Sequence, residues 1–173
     1  MNPFSIQKVN ESTGNEKSKN QEFSWLISAD KIFESKIKDY KEYARFFYME
    51  FEISRFSLFD RKKSNDSAVC AKDVRIYLSP SRFCAVIQGN LASGKEISKI
   101  ILKKVEMKAG KLEAIEEKEF TKCIIQSFER KEEMASFTFR YTGYSDTYQD
   151  FDSDGKKSGK AAAKIDLTTW KVS

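Results

Sequence analysis

The chain has 173 residues and a net charge of +5, with 14 Phe and 7 Tyr against 2 Pro and no His. That length holds one well-buried core rather than two full domains, and the aromatic content excludes a disordered chain. No apolar run is long enough to span a bilayer, and no apolar leader follows Met1, so the chain is expected to fold in the cytoplasm and to leave a cell only without a cleaved signal.

Residues 1–22 are polar and are predicted to form a mobile N-terminal arm, which leaves 23–173 as the folded domain. Phe23, Trp25 and Ile27 alternate with Ser24 and Ser28, the period of a half-buried strand. Ile32, Phe33, Ile37, Tyr40, Tyr43 and Ala44 fit either an amphipathic helix over Asp30–Ala44 or a loop across the core. A long strand follows, with Phe47, Met49, Phe51 and Ile53 in one phase and Phe56 and Leu58 in the other. A one-residue slip in a period of two predicts a β-bulge near Ser54-Arg55. Asp60–Ser67 reads as a polar, basic loop.

Val74, Ile76 and Leu78 mark a strand that runs into a helix at about 79–88. Ser79 is its predicted N-cap, Pro80 its first residue and Gly89 its left-handed end, with Phe83, Val86 and Ile87 on one face. A strand over Glu96–Met107 places Ile97, Ile101, Val105 and Met107 in phase, and Ala109-Gly110 is a turn. Phe120–Phe128 and Ala135–Tyr141 are two more strands. Tyr144–Lys160 reads as a polar loop before a last strand from Ala163 through Ile165 and Leu167. About seven or eight strands and one helix give a mainly β fold class, a single β-barrel or a sandwich of two sheets.

The chemistry-bearing motifs are few. Without His there is no His-based acid–base pair, triad or zinc site. Cys70, Cys84 and Cys123 lack paired spacing and read as buried reduced thiols. Gly89–Lys95 imitates a phosphate loop, but Glu96 stands where Ser or Thr would bind magnesium, and the order is helix, turn, strand. Asp150–Gly155 imitates a calcium loop, but Ala161 occupies the bidentate Glu position, so a polar turn fits better. Interleaved acids and bases, as in Glu113–Glu119, read as solvated surface rather than a nucleic-acid footprint. No catalytic, cofactor or metal site is predicted, and neither membrane insertion nor nucleic-acid binding.

The segment from Val74 through Ser79-Pro80 to Gly89, followed by the Ile97–Met107 strand, resembles the haemolysin-coregulated protein family, the inner-tube proteins of type VI secretion. Glu50–Leu58 is similar to the family's acidic strand ending in aromatic-Ser-Trp, with Leu58 at the Trp. Phe137–Tyr141 resembles its penultimate strand, and Asp154-Gly155 to Leu167 its Asp-Gly loop and last strand. Glu34-Ser35 matches part of a Gly-Glu-Ser step, with Phe33 at the glycine. Residues 1–22 are an extension, and the Asp60–Ser67 loop is shorter and more basic than in many members.

The resemblance implies a tail-tube-like fold and a mechanical role. Six copies would close into a ring, rings would stack, and sheath and spike proteins would drive the tube out with effectors inside. It implies that Ser57 faces the lumen and that the loop with Arg61, Lys62 and Lys63 contacts neighbouring subunits. Alternation independently puts Ser57 opposite Phe56 and Leu58. A tube protein of a phage-like contractile particle, or a cytoplasmic β-barrel module binding nucleic acid or a protein, are the alternatives.

Overall fold

The computed structural model describes residues 24–30, 32–33, 39–57, 67–168 and 171–172, with the backbone course alone at 55–57, 67–69 and 171–172. The chain runs through β1 (Ser24–Ala29), β2 (Ala44–Phe46), β3 (Tyr48–Glu50), β4 (Ile53–Ser57), β5 (Ser67–Ala71) and β6 (Val74–Leu78). Then come α1 (Phe83–Ser93), β7 (Ile97–Lys108), β8 (Lys111–Arg130), β9 (Ala135–Arg140), β10 (Gly143–Phe151), β11 (Lys157–Asp166) and β12 (Lys171–Val172).

β8 organises the molecule because it belongs to two sheets. Its first half pairs with β7 and β10 in a large antiparallel sheet of order β12-β11-β10-β8-β7-β1-β2. Its second half pairs with β9, which continues to β6 and β3. Lys122 sits between the halves at φ 51, in the left-handed region that a lysine rarely adopts. The buried phase of β8 flips there, from Lys118 and Phe120 to Cys123 and Ile125. Ser98 of β7 lies beside this kink. Asp30, which follows β1, accepts hydrogen bonds from its backbone N–H at 2.6 Å and its hydroxyl at 2.5 Å, so the kink leaves no orphaned donor there. Further register shifts on β8 fall at Ile115 and Gln126, which lie outside the paired registers with β7 and β9.

The two sheets face each other across one core. Ile27, Ile100, Leu102, Phe120 and Cys123 come from the large sheet, and Val74, Ile76, Leu78, Phe137 and Phe139 from the small one. Phe120 is fully buried and touches the rings of Phe51, Phe139, Tyr141 and Tyr144 at centroid distances from 4.9 to 5.6 Å. Edge-on and tilted aromatic contacts of this kind each add about 0.5–1.5 kcal/mol beyond area burial. The architecture is therefore a two-sheet sandwich. It is not a closed barrel, because β2 and β12 end the large sheet unpaired among the described residues.

The helix lies further along the chain than expected. Its N-cap is Arg82 rather than Ser79, without a side-chain cap. The first turn is closed by Cys84 N–H to Ser81 O at 3.0 Å and Ala85 N–H to Arg82 O at 3.3 Å, the i to i+3 bonds of a tight start. Gly89 is interior, and the left-handed end is Gly94 at φ 62. The buried face is Cys84 and Ile87 with Phe83 and Leu91 beside it, while Val86 is exposed.

Other expectations shift for physical reasons. Among the described residues of 30–44, Asp39–Tyr43 is turn or irregular backbone and Ala44 opens β2, so no helix reaches them; 31 and 34–38 lie outside the described residues. The phase slip of the long strand is a break and not a bulge at Ser54-Arg55. β2 buries Ala44 and Phe46, the chain bends at Phe47, β3 ends at Glu50, and β4 pairs with β5 in unbroken register. On β7 the buried residues are Ile97, Ile100, Leu102 and Val105, and Met107 is exposed. The Tyr144–Lys160 segment is no loop: most of it is the β10–β11 hairpin. The Ala109-Gly110 turn is as predicted, with φ 46 and 79, the left-handed pair that matches strand twist.

Candidate functional site

Ser57 is the last residue of β4 and pairs with Ser67 at the loop end of the β4–β5 hairpin. Its side chain, and the whole loop with Arg61, Lys62 and Lys63, lie outside the described residues. Among the described residues the hairpin pairs with neither sheet. It is rooted by Phe51 and Ile53 on the core, and at its neck Lys72 N–H donates to Glu52 O at 3.1 Å while Lys72 Nζ meets Glu52 Oε2 at 2.7 Å. The structure thus puts Ser57 on a separate two-stranded arm.

A second cluster was invisible in the sequence. Lys118 is 5% exposed inside the Glu113–Glu119 run that reads as surface. Its ammonium donates to Asp146 Oδ2 at 2.6 Å, Glu116 Oε1 at 2.7 Å and the Tyr144 hydroxyl at 3.4 Å. The rings of Phe51, Tyr144 and Tyr148 surround it at 5.6 to 6.0 Å. Tyr144 in turn donates to Asp146 Oδ2 at 2.7 Å, and Asp146 Oδ1 is buried without a partner. Burial pulls the Lys118 pKa down, and the hydrogen bonds to Asp146 and Glu116 more than reverse it, so the pKa is raised. Burial, then the bond to Asp146, pushes the Tyr144 hydroxyl up. A catalytic lysine needs the opposite shift. This one is a charged pin that ties β8 to β10 and seats Phe51 at the root of the β4–β5 arm.

No family model and no curated protein matches the sequence. The fold does find matches. A solved structure described as a type six secretion system protein superposes with a TM-score of 0.77 at 16% identity, over 88% of this chain and 100% of that one. The chain has the fold of the Hcp type VI secretion proteins. Hcp1 from Salmonella typhimurium matches with a TM-score of 0.69 at 16% identity, covering 87% of this chain and 99% of that chain. The secreted protein Hcp3 from Pseudomonas aeruginosa matches at 0.55 and 14% identity, covering 80% and 95%.

The motifs set aside on sequence grounds behave accordingly within this Hcp fold. The glycine–lysine stretch Gly89–Lys95 runs through the C-terminal end of α1, whose carbonyls repel phosphate. Asp150–Gly155 holds the β10–β11 turn: Asp152 Oδ1 accepts from Asp154 N–H at 2.9 Å and Lys156 N–H at 2.8 Å, and Gly155 has φ 76. Among the described residues no group of three or more Cys, Asp or Glu is arranged to hold a metal, and no helix is long and apolar enough to cross a membrane. Cys84 and Cys123 are buried and free as expected, whereas Cys70 is exposed on the arm. The outer face of the large sheet carries cross-strand ion pairs, Lys99–Glu119 and Lys103–Glu117 at 3.0 Å and Lys157–Glu113 at 3.3 Å. The last two pairs line a polar groove of about 270 Å³ in which three acids, Glu113, Glu116 and Glu117, face three lysines, Lys103, Lys157 and Lys160.

Proposed function

We propose that this chain is a structural tube subunit of a type VI secretion system. Six copies close into a ring through one heterologous interface repeated about an axis, and rings stack into a tube. Ser57 lines the lumen and contacts small effectors, and the loop with Arg61, Lys62 and Lys63 reaches neighbouring subunits. Sheath and spike proteins are its partners. The tube assembles in the cytoplasm and leaves without a cleaved signal. The work is mechanical rather than chemical.

The observation that carries this reading is the likeness of fold to a type six secretion system protein over 100% of that chain. The β4–β5 arm, rooted on the core yet outside both sheets, supports the role of the loop at its tip. Light scattering on the purified protein tests it: the expected mass is about 120 kDa, six times the 20.0 kDa chain. Ser57→Arg is expected to keep that mass and to lose effector co-purification. A monomer at high concentration, together with no tubes in cells, rejects the proposal.

A further inference from the structure

Among the described residues, β11 is paired along its length on one side only. It pairs with β10 along its length, whereas β12 covers just Ile165 and Asp166. Among the described residues no strand pairs with the outer edge of β11 from Lys157 to Lys164, and all but Gly159 of these residues are exposed. Such an edge offers backbone N–H and C=O groups to any extended chain, and its side chains decide which chain is accepted.

Lys160, Ala162 and Lys164 share one face of β11, opposite Gln149, Thr147 and Ser145. Lys156 adds charge at the hairpin turn. Among the described residues Lys156, Lys160 and Lys164 have no ion-pair partner. The acids on the same face one strand further in, Glu117 and Glu119, are already taken by Lys103 and Lys99. On the other face Ala161 and Ala163 are small and leave a close approach open. A second copy of this edge is repelled by like charge. The far end of the large sheet, β2, has Arg45 as its one charged residue, and Glu50 of β3 is held by the Tyr77 hydroxyl at 2.7 Å. Among the described residues, β2 thus offers no carboxylate to the lysines, and the one on β3 already accepts a hydrogen bond.

We propose that the outer edge of β11 docks an extended acidic segment of a partner protein, which adds to the large sheet as a strand. Carboxylates four residues apart, about 14 Å in a strand, lie against Lys160 and Lys164. The inference goes beyond the tube reading and stands without it.

The test uses the full chain and a labelled, alternating Thr/Val peptide carrying two Glu four positions apart, followed by fluorescence anisotropy. The peptide is expected to bind. Lys160→Glu with Lys164→Glu is expected to weaken it at least tenfold and to bind a Lys-for-Glu peptide instead, and the milder Lys160→Gln with Lys164→Gln gives an intermediate loss. Lys95→Glu, at the end of α1, changes nothing. Methylating the peptide's backbone nitrogens abolishes binding while keeping its charge. The proposal is overturned if the unaltered protein ignores the peptide. It is equally overturned if the methylated peptide or a single-stranded oligonucleotide of equal charge binds as well. If light scattering shows that the charge reversal abolishes self-association, and no peptide binds, the edge belongs to a second copy and the proposal fails. Ring mass, measured without peptide, reports on the tube reading separately.

Discussion

Replacing two glycines one at a time separates the observed helix from the expected one. Gly89 is inside α1, and a Cβ built there meets nothing within 4 Å. Alanine is favoured over glycine by about 0.8–1 kcal/mol in a helix interior, so Gly89→Ala should stabilise the protein by about that amount. Gly94 ends the helix at φ 62 and also has open space, so backbone conformation alone decides the outcome there. A left-handed alanine costs about 1–2 kcal/mol, so Gly94→Ala should destabilise. In a chain of this size 1 kcal/mol moves Tm by about 2–4 °C, which puts the two variants roughly 4–12 °C apart. Urea unfolding with an unchanged m-value confirms that the difference is one of stability and not of the surface exposed on unfolding. If Gly89→Ala lowers stability while Gly94→Ala is neutral, the helix ends at Gly89 and the placement of α1 is wrong.

Lys118→Met leaves Asp146 and Glu116 without their cation and should cost about 3–5 kcal/mol, whereas the exposed Lys160→Met should stay within about 0.5 kcal/mol; urea midpoints for the two variants decide, and equal values would refute the pin. Thiol labelling of the folded protein should modify Cys70 alone, with Cys84 and Cys123 reacting only after unfolding, because burial closes access to both. Burial pushes the Cys123 thiol from 9.0 up to about 12, so the folded chain keeps a proton that the unfolded chain gives up. Its stabilisation is full below about pH 9 and is lost as pH rises toward 12. Urea midpoints should fall across that range, less steeply in Cys123→Ala.

What the sequence reveals depends on whether the core leaves a periodic imprint. Val74, Ile76 and Leu78 alternate because β6 has one face on the core, and all three are buried as read. The β10–β11 hairpin was missed because beyond Tyr144 it leaves the core: its alternation is of Asp146, Tyr148 and Asp150, and β11 is exposed on both faces. The slip between Ile53 and Phe56 was visible, yet two phase changes close together look alike whether the cause is a bulge or a strand that stops and restarts in another pairing. Lys118 could not be found because burial of a charge depends on partners distant in sequence, here Asp146 and Phe51. The order strand, helix, strand around Ser79-Pro80 carried the fold even though the helix register was misplaced, since order survives a shift that caps do not. Ser57 was placed on a strand correctly, and its facing remains part of the proposal.

Sharing β8 between two sheets has a consequence for cooperativity. Neither sheet can lose that strand without breaking the other's ladder, because one half holds β7 and β10 and the other half holds β9. The sandwich is therefore expected to open as one unit, with slowly exchanging amides on both sides of Lys122, which hydrogen exchange would show. The β4–β5 arm shares no strand with either sheet. Rooted on the core at Phe51 and Ile53, it is expected to open at lower cost than the sandwich.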